Sequence, residues 1–150
     1  MPRRTRKVLI FITQHARLLV FRHTGHPPAG IQVPAGTIEP GEDIAAAALR
    51  EASEETGLKD IHVDRLLGEY DYSMAAFGRD EVQHRFVFAA TLASEAPSTW
   101  CHYEAHPSGD GDPIPFDFVW LDLTAAHRDL IAGQGTLLER LDESLQSATP

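Results

Sequence analysis

The chain has 150 residues, of which 43% are hydrophobic and 23% are charged, so its size predicts a single globular domain over residues 1–150. Its formal net charge of -9 argues against a groove for a nucleic acid polymer, because such a groove needs a basic stripe. Cys101 is the only cysteine, which excludes an intrachain disulfide and a cysteine-rich zinc site and suits a reducing cytoplasm. The apolar run at residues 8–12 is shorter than that of a signal peptide, and no run approaches a membrane span. We therefore expect a cytoplasmic protein without a membrane segment.

The elements before the central helix are predicted to be a tail, a hairpin, a loop and a short strand. In chain order they are a flexible basic tail 1–6, strands Val8–Ile12 and Leu18–Phe21, a loop 23–30, and a strand Ile31–Val33.

The segment 42–57, EDIAAAALREASEETG, predicts the central helix. Its alanines favour a helix, and Gly57 suits the left-handed position at which a helix ends.

The rest of the chain is predicted to be mostly strands. They are 61–67, 69–72, 82–92, 100–103 and 116–121, followed by a terminal helix with Leu137, Leu138, Leu141 and Leu145 on one stripe. Strands with one central and one terminal helix predict an α/β sandwich around a mixed sheet.

Three carboxylates lie near the end of the central helix, where they are electrostatically unfavourable. Glu51, Glu54 and Glu55 meet the negative end of the helix dipole and repel one another. At 100° per residue they fall within an arc of roughly 100°. Converging carboxylates with no lysine among them favour a hard divalent cation, Mg²⁺ or Mn²⁺, which would offset the repulsion. The alternative is an ordinary solvated acidic face.

The sequence around these glutamates has a distinctive spacing. Gly36 is followed after five residues by Glu42, and after seven more by Arg50 and Glu51. The run 36–58, GTIEPGEDIAAAALREASEETGL, resembles the signature of the Nudix hydrolase superfamily at every fixed position. The resemblance implies an α/β/α sandwich and a hydrolase that cleaves a diphosphate linkage in a nucleoside diphosphate joined to another group, with Mg²⁺ or Mn²⁺.

The resemblance also implies roles for individual residues. By position, the metal ligands would be three side chains and one backbone carbonyl, those of Glu51, Glu54, Glu55 and Ala35. Arg50 would hold the glutamates in place, and Glu42 would pair with Arg50 or bind a metal through water. Gly36 would give its loop the freedom to approach the helix.

A carboxylate must also take a proton from the attacking water. Glu54 is one candidate base. Members of the superfamily often use a carboxylate from outside the box, which makes Glu104 and Glu81 further candidates, although each is also explained as a surface glutamate.

The sequence indicates less clearly which residues determine substrate specificity. Arg85 and Gln83 could reach phosphate or base edges, and Tyr72 could stack on a base, but a salt bridge and core packing explain them as well. The lead-in to the box is similar to that of ADP-ribose diphosphatases, whereas the position of their marker proline is Met74.

Three functions follow as expectations. The first is a metal-dependent hydrolase acting on a nucleotide, nucleotide-sugar or ADP-ribose-like substrate. The others are an enzyme that sanitises oxidised nucleoside triphosphates and a nucleotide-binding sensor that does not cut its ligand. Sensors of this kind usually lose box glutamates, whereas this chain retains them. Many relatives dimerise, so a homodimer is also expected.

Overall fold

The computed structural model describes residues 1–23, 30–104 and 114–141, with only the backbone of Glu104 and Ile114. The strands are β1 (Arg3–Gln14), β2 (Arg17–His23), β3 (Ala35–Thr37), β4 (Ile61–Ser73), β5 (Glu81–Leu92), β6 (Thr99–Glu104) and β7 (Ile114–Asp122). The helices are α1 (Ile44–Thr56) and α2 (Leu123–Asp129), with a 3₁₀ turn at Ala75–Phe77. A further helical turn begins at Leu138.

The strands form a mixed sheet in the order β4-β5-β1-β2-β7-β6, with β3 also paired to β1. β1 and β5 are parallel, and the other pairs are antiparallel. β1 pairs with β2 only next to their turn, at Thr13 and Gln14, and then pairs with β3 at residues 7–9. The two strands therefore diverge, and the divergence leaves room for β3 and for the cavities described below. The predicted fold class, an α/β sandwich on a mixed sheet, is confirmed.

α1 begins and ends with the signals that the sequence predicts. The Asp43 side chain accepts a hydrogen bond from the Ala46 N–H at 3.0 Å, which satisfies a free donor of the first turn. Gly57 ends the helix at φ 77°, where a side chain would be strained. Between the caps, Ala47, Ala48 and Ala52 are buried against the sheet. Their small side chains bring the helix close to the sheet.

Two core clusters lie on opposite faces of the sheet. One includes Ile10 and Phe88 and packs against the alanines of α1. The other includes Leu9 and Val87 and packs against Ala126 of α2 and Leu138 and Leu141 near the C-terminus. The alternation of side chains along β1 and β5 thus serves both layers.

The predicted flexible tail 1–6 is wrong. Residues 3–6 belong to β1, and each pairs with β5, from Arg3 opposite Glu81 to Arg6 opposite His84. β5 is long enough to extend the ladder beyond the apolar residues. Thr5 and Arg3 also contact the buried carboxylate of Glu81, so the strand continues into polar sequence.

The predicted strand Ile31–Val33 is also wrong. Ile31 and Gln32 form only isolated bridges, to Leu130 and Phe21, and the ladder forms at Ala35–Thr37 instead. Pro34, which lacks an N–H donor, separates the two segments.

Other differences concern element bounds. The two predicted strands 61–67 and 69–72 are the single strand β4, whose pairing shifts register between Val63 and Arg65 and between Leu66 and Gly68. α2 was not predicted, since seven residues are too few for a clear helical period. Leu145 of the predicted leucine stripe lies outside the described residues. None of the helices in the described ranges has the length and apolar character that crossing a bilayer requires.

Candidate functional site

The last turns of α1 border a cavity of about 710 Å³, which we call the acidic cavity. Its lining includes Ala35, Gly36, Arg50, Glu51, Glu54 and Glu55. The cavity lies where β1 and β2 diverge, because Lys7 of β1 and Phe21 of β2 also line it. The structure therefore brings together the three predicted carboxylates, their arginine and the residue before the box.

Arg50 is the hub of the acidic cavity. Its Nε and Nη2 donate to the two carboxylate oxygens of Glu42 at 2.8 and 2.9 Å. Its Nη1 donates to Glu51 Oε1 at 2.8 Å and lies 3.5 Å from Glu54 Oε2. A longer bond, 3.2 Å, runs from Nη2 to the carbonyl oxygen of Thr37 in β3. The guanidinium fork thus ties the end of β3 to the helix.

The pairing of Arg50 with Glu42 shifts the pKa values of both groups. Hydrogen bonds from Arg50, and next a backbone hydrogen bond from Glu39, lower the pKa of Glu42 to about 2. The same pairing raises the pKa of Arg50 above its ordinary value. Both groups are therefore charged at neutral pH.

Gly36 lies directly against Glu51. A Cβ at position 36 would overlap the Glu51 carboxylate and its Cγ. The sequence suggested that glycine gives freedom to a loop, whereas residue 36 lies in β3 opposite Val8 of β1. The glycine is needed because the strand and the glutamate approach each other too closely for a side chain.

The carboxylates of the acidic cavity and the carbonyl of Ala35 fit a hard dication in their chemistry, because they are oxygen donors. Within the described ranges, however, no three His, Cys, Asp or Glu side chains are arranged to hold a metal ion. Glu51 and Glu54 approach Arg50 instead of converging with Glu55. Cation binding would require these carboxylates to turn, and Glu42 can retain Arg50 through its two hydrogen bonds while they do so.

The two candidate bases from outside the box have different outcomes. Glu81 is 3% exposed, accepts from Thr5 Oγ1 at 2.6 Å and pairs with Arg79 at 2.7 Å. Its burial raises the pKa, but Thr5 and Arg79 lower it more, so the pKa of Glu81 lies below its ordinary value. Glu81 lines neither cavity, and the structure does not bring it to the site. The side chain of Glu104 lies outside the described residues.

A second cavity, of about 460 Å³, adjoins the first, and we call it the basic cavity. Its lining includes Lys7, Met74, Phe77, Arg79, Gln83 and Arg85. The structure thus brings Arg85 and Gln83 to a cavity, as residues that contact substrate would require. Tyr72 lines neither cavity, and its ring lies against the Arg85 guanidinium, 4.4 Å from ring centre to Cζ. The predicted stacking of Tyr72 on a base is therefore not supported by its position.

Lys7 was not among the predicted site residues, because it lies between the predicted tail 1–6 and the predicted strand Val8–Ile12. It lines both cavities, and its Nζ donates to Thr37 Oγ1 at 2.7 Å. A sequence signal was present: Lys7 alternates with the apolar Leu9 and Phe11, which places all three on one face of β1.

A family model described as NUDIX domain matches residues 1–141. Because the match covers most of the chain, the protein belongs to the Nudix family. The predicted superfamily and enzyme class, a Nudix-family hydrolase, are confirmed. No curated protein sequence matches the chain.

Solved structures share the fold at low identity. A NUDIX hydrolase from Nitrosomonas europaea is 22% identical, with a TM-score of 0.67 over 97% of this chain and 90% of that one. A UDP-X diphosphatase is 21% identical, with a TM-score of 0.65 over 98% of this chain and 64% of that longer one. The NUDIX domain of Shewanella oneidensis NrtR, complexed with ADP ribose, is 16% identical, with a TM-score of 0.63 over 97% and 89%. At such identities, the similarity is one of fold.

Proposed function

We propose that the protein hydrolyses a diphosphate linkage in a nucleoside diphosphate joined to another group, with Mg²⁺ or Mn²⁺ bound in the acidic cavity. The observation that carries the proposal is the arrangement of Glu51, Glu54 and Glu55 around one cavity with Arg50. An acidic cavity of this kind repels a diphosphate unless a cation is bound first. A dication held by these residues would supply charge neutralisation of the diphosphate and would activate a water molecule for in-line attack.

The side chains of the acidic cavity have different roles in this proposal. Glu51, Glu54 and Glu55, with the backbone carbonyl of Ala35, hold the cation. Arg50 positions Glu51 and Glu54, and Glu42 in turn fixes Arg50. Glu54, whose side chain is 60% exposed, is best placed of the three to accept a proton from water.

Glu104 is the alternative base. A Glu104→Gln variant that retains activity while Glu54→Gln loses it supports Glu54, and the reverse result supports Glu104. General base catalysis contributes about 10² to 10⁴ in rate, so either loss is measurable.

The substrate class is a nucleotide derivative. UDP-X and ADP ribose, named for two proteins of similar fold, suggest nucleotide-sugar and ADP-ribose-like compounds as the first candidates. The sensor alternative requires that such a compound binds without being cut, and the sanitising alternative needs a nucleoside triphosphate substrate. Retention of the complete box favours an enzyme over a sensor.

The test is a panel of nucleotide and dinucleotide diphosphates incubated with purified protein and Mg²⁺ or Mn²⁺. Glu54→Gln is run beside it, and Glu139→Gln, at an exposed position, is the matched control. We expect hydrolysis by wild type and Glu139→Gln and a loss of about 100-fold or more in Glu54→Gln. Inactivity of the wild type on every compound would contradict the enzyme, and equal activity of Glu54→Gln would place the chemistry elsewhere.

Cation binding has an independent readout. Mg²⁺ or Mn²⁺ should raise the melting temperature of the wild type by mass action. The rise should be smaller in Glu54→Gln and unchanged in Glu139→Gln. We also propose a homodimer, which light scattering of the purified protein tests.

A further inference from the structure

The basic cavity continues directly from the acidic cavity. Lys7, Gln32, Ala35 and Gly36 line both of them. A ligand held in the acidic cavity can therefore extend past Lys7 into the basic one. The side chains that it would meet there have a different electrostatic character.

Arg85 is a buried cation whose partners are neutral. Arg85 is only 2% exposed to solvent. Nε donates to Gln83 Oε1 at 3.0 Å, and Nη1 donates to the Ala132 carbonyl oxygen at 2.6 Å. Among the described residues, the hydrogen-bond partner of Nη2 is the sulfur of Met74, at 3.8 Å. No carboxylate among the described residues lies within ion-pairing distance of this guanidinium.

Lys7 is a second cation with no carboxylate within ion-pairing distance in the described part of the chain, although Glu81 and Glu51 attract it from farther away. Its Nζ donates to the hydroxyl of Thr37, which is neutral. Burial lowers the pKa of Lys7, and the distant carboxylates of Glu81 and Glu51 offset this only in part. Lys7 and Arg85 are direct neighbours in the parallel pairing of β1 with β5, so their side chains share one face.

The nearest buried acid of this region is already engaged. Glu81 pairs with Arg79 at 2.7 Å, lies 3.9 Å from Arg3 and accepts from Thr5. Its ion pairs are therefore with two arginines, and Lys7 acts on it only from beyond ion-pairing distance. A buried charge is normally compensated by an opposite one.

We propose that the basic cavity binds an oxyanion, a phosphate or carboxylate group of the substrate, through Lys7 and Arg85 and without a metal ion. The inference rests on the proposed function in that this group belongs to the same substrate whose diphosphate lies in the acidic cavity. It specifies the substrate class: the group joined to the diphosphate carries a further negative charge. A nucleotide with a third phosphate or an acidic substituent is preferred to one that ends in a neutral sugar.

The first test measures phosphate binding in the presence of EDTA, so that no dication contributes. Wild type is titrated with inorganic phosphate, and its melting temperature is compared with that in chloride at equal ionic strength. We expect a phosphate-specific rise, and binding about 10-fold or more weaker in Lys7→Met, since a charge-assisted contact is lost. Lys59→Met, at the exposed position of the other lysine, is the matched control and should bind as wild type does.

Two results would overturn the inference. One is a wild type that phosphate stabilises no more than chloride does, and the other is Lys7→Met binding phosphate as tightly as Lys59→Met. Arg85→Gln should also lose binding, and its folding is checked first because Arg85 is buried. Crystals soaked in tungstate replace that variant if it does not fold: an anomalous peak beside Arg85 supports the site, and peaks only elsewhere refute it.

The second test separates this inference from the proposed function. Two nucleotides that differ only by one terminal phosphate are compared as substrates of wild type and Lys7→Met. We expect Lys7→Met to lower kcat/KM, through KM, about 10-fold more for the more highly charged compound than for the other. An equal effect on both compounds contradicts the inference. If neither compound is hydrolysed, the metal-free phosphate titration still decides it.

Discussion

The acidic and basic cavities adjoin each other but differ in how their charged side chains are paired. In the acidic cavity a single arginine, Arg50, lies between the carboxylates of Glu42 and Glu51 and near that of Glu54. In the basic cavity two cations, Lys7 and Arg85, have hydrogen bonds to neutral oxygen or sulfur atoms and, for Arg85, a contact with the Tyr72 ring, and neither has a carboxylate within ion-pairing distance among the described residues. The acidic cavity is suited to bind a metal cation, which can then bind an anionic substrate. The basic cavity is suited to bind an anion without a metal ion. The net charge of -9 for the whole chain therefore does not indicate how charges are arranged in either cavity.

The largest effect is expected at the hub of the acidic cavity. Arg50→Met should reduce the affinity for Mn²⁺ and the rate of hydrolysis by about 10- to 100-fold, because Glu51 and Glu54 lose the group that positions them. Arg50→Lys should lie between wild type and Arg50→Met, since lysine keeps the charge and loses the fork. Manganese titration followed by kinetics measures both. Unchanged metal affinity in Arg50→Met would separate the arginine from the metal ligands.

The next effect concerns the contact between β3 and α1. Gly36→Ala should displace the Glu51 side chain, which is flexible enough to turn away, so the free energy of unfolding should fall by only about 1 kcal/mol. Metal-dependent activity should fall about 10-fold or more. Gly135→Ala, whose Cβ would lie 3.3 Å from a Leu138 methyl group, is the control. Urea unfolding and turnover are measured together, and full activity in Gly36→Ala would show that Glu51 can bind from another position.

Lys7 and Arg50 should differ in their effect on stability. Since burial lowers the pKa of Lys7, the folded state disfavours its charge below that pKa, and this cost disappears as pH rises through it. Without metal or phosphate at neutral pH, Lys7→Met should therefore be within about 0.5 kcal/mol of wild type in free energy of unfolding, or more stable. Arg50→Met should be less stable than wild type. A larger loss from Lys7→Met than from Arg50→Met, measured by urea unfolding, would reverse the comparison of the two cavities.

The smallest effect is the pH dependence of the Glu42 pair. The pKa of Glu42 is about 2 in the folded protein, below the ordinary value of 4.5. Its stabilising contribution is therefore complete above pH 4.5 and is lost as pH falls towards 2. The difference in melting temperature between wild type and Glu42→Gln should shrink across this range, with Glu139→Gln as reference. A difference that stays constant down to pH 2.5 would mean that Glu42 is not held by Arg50.

Local patterns were sufficient for much of the fold. α1 follows from its alanines, Asp43 and Gly57, and β5 differs from its predicted bounds by one residue. Two of the failures involve long-range contacts, whereas α2 was too short to give a clear helical period. The composition of residues 3–6 predicts a basic tail, but these residues pair with β5. The apolar residues of Ile31–Val33 predict a strand, but the ladder forms after Pro34.

The sequence by itself determined the acidic helix and the family. Residues three and four apart on a helix share a face regardless of how the rest of the chain folds, so the local spacing is sufficient. The basic cavity was decided by the tertiary structure. Lys7 and Arg85 lie far apart in the chain, and only the parallel pairing of β1 with β5 places them side by side. A parallel pair of strands leaves no local pattern that specifies its register, so the meeting of these two charges could not be predicted before the sheet was known.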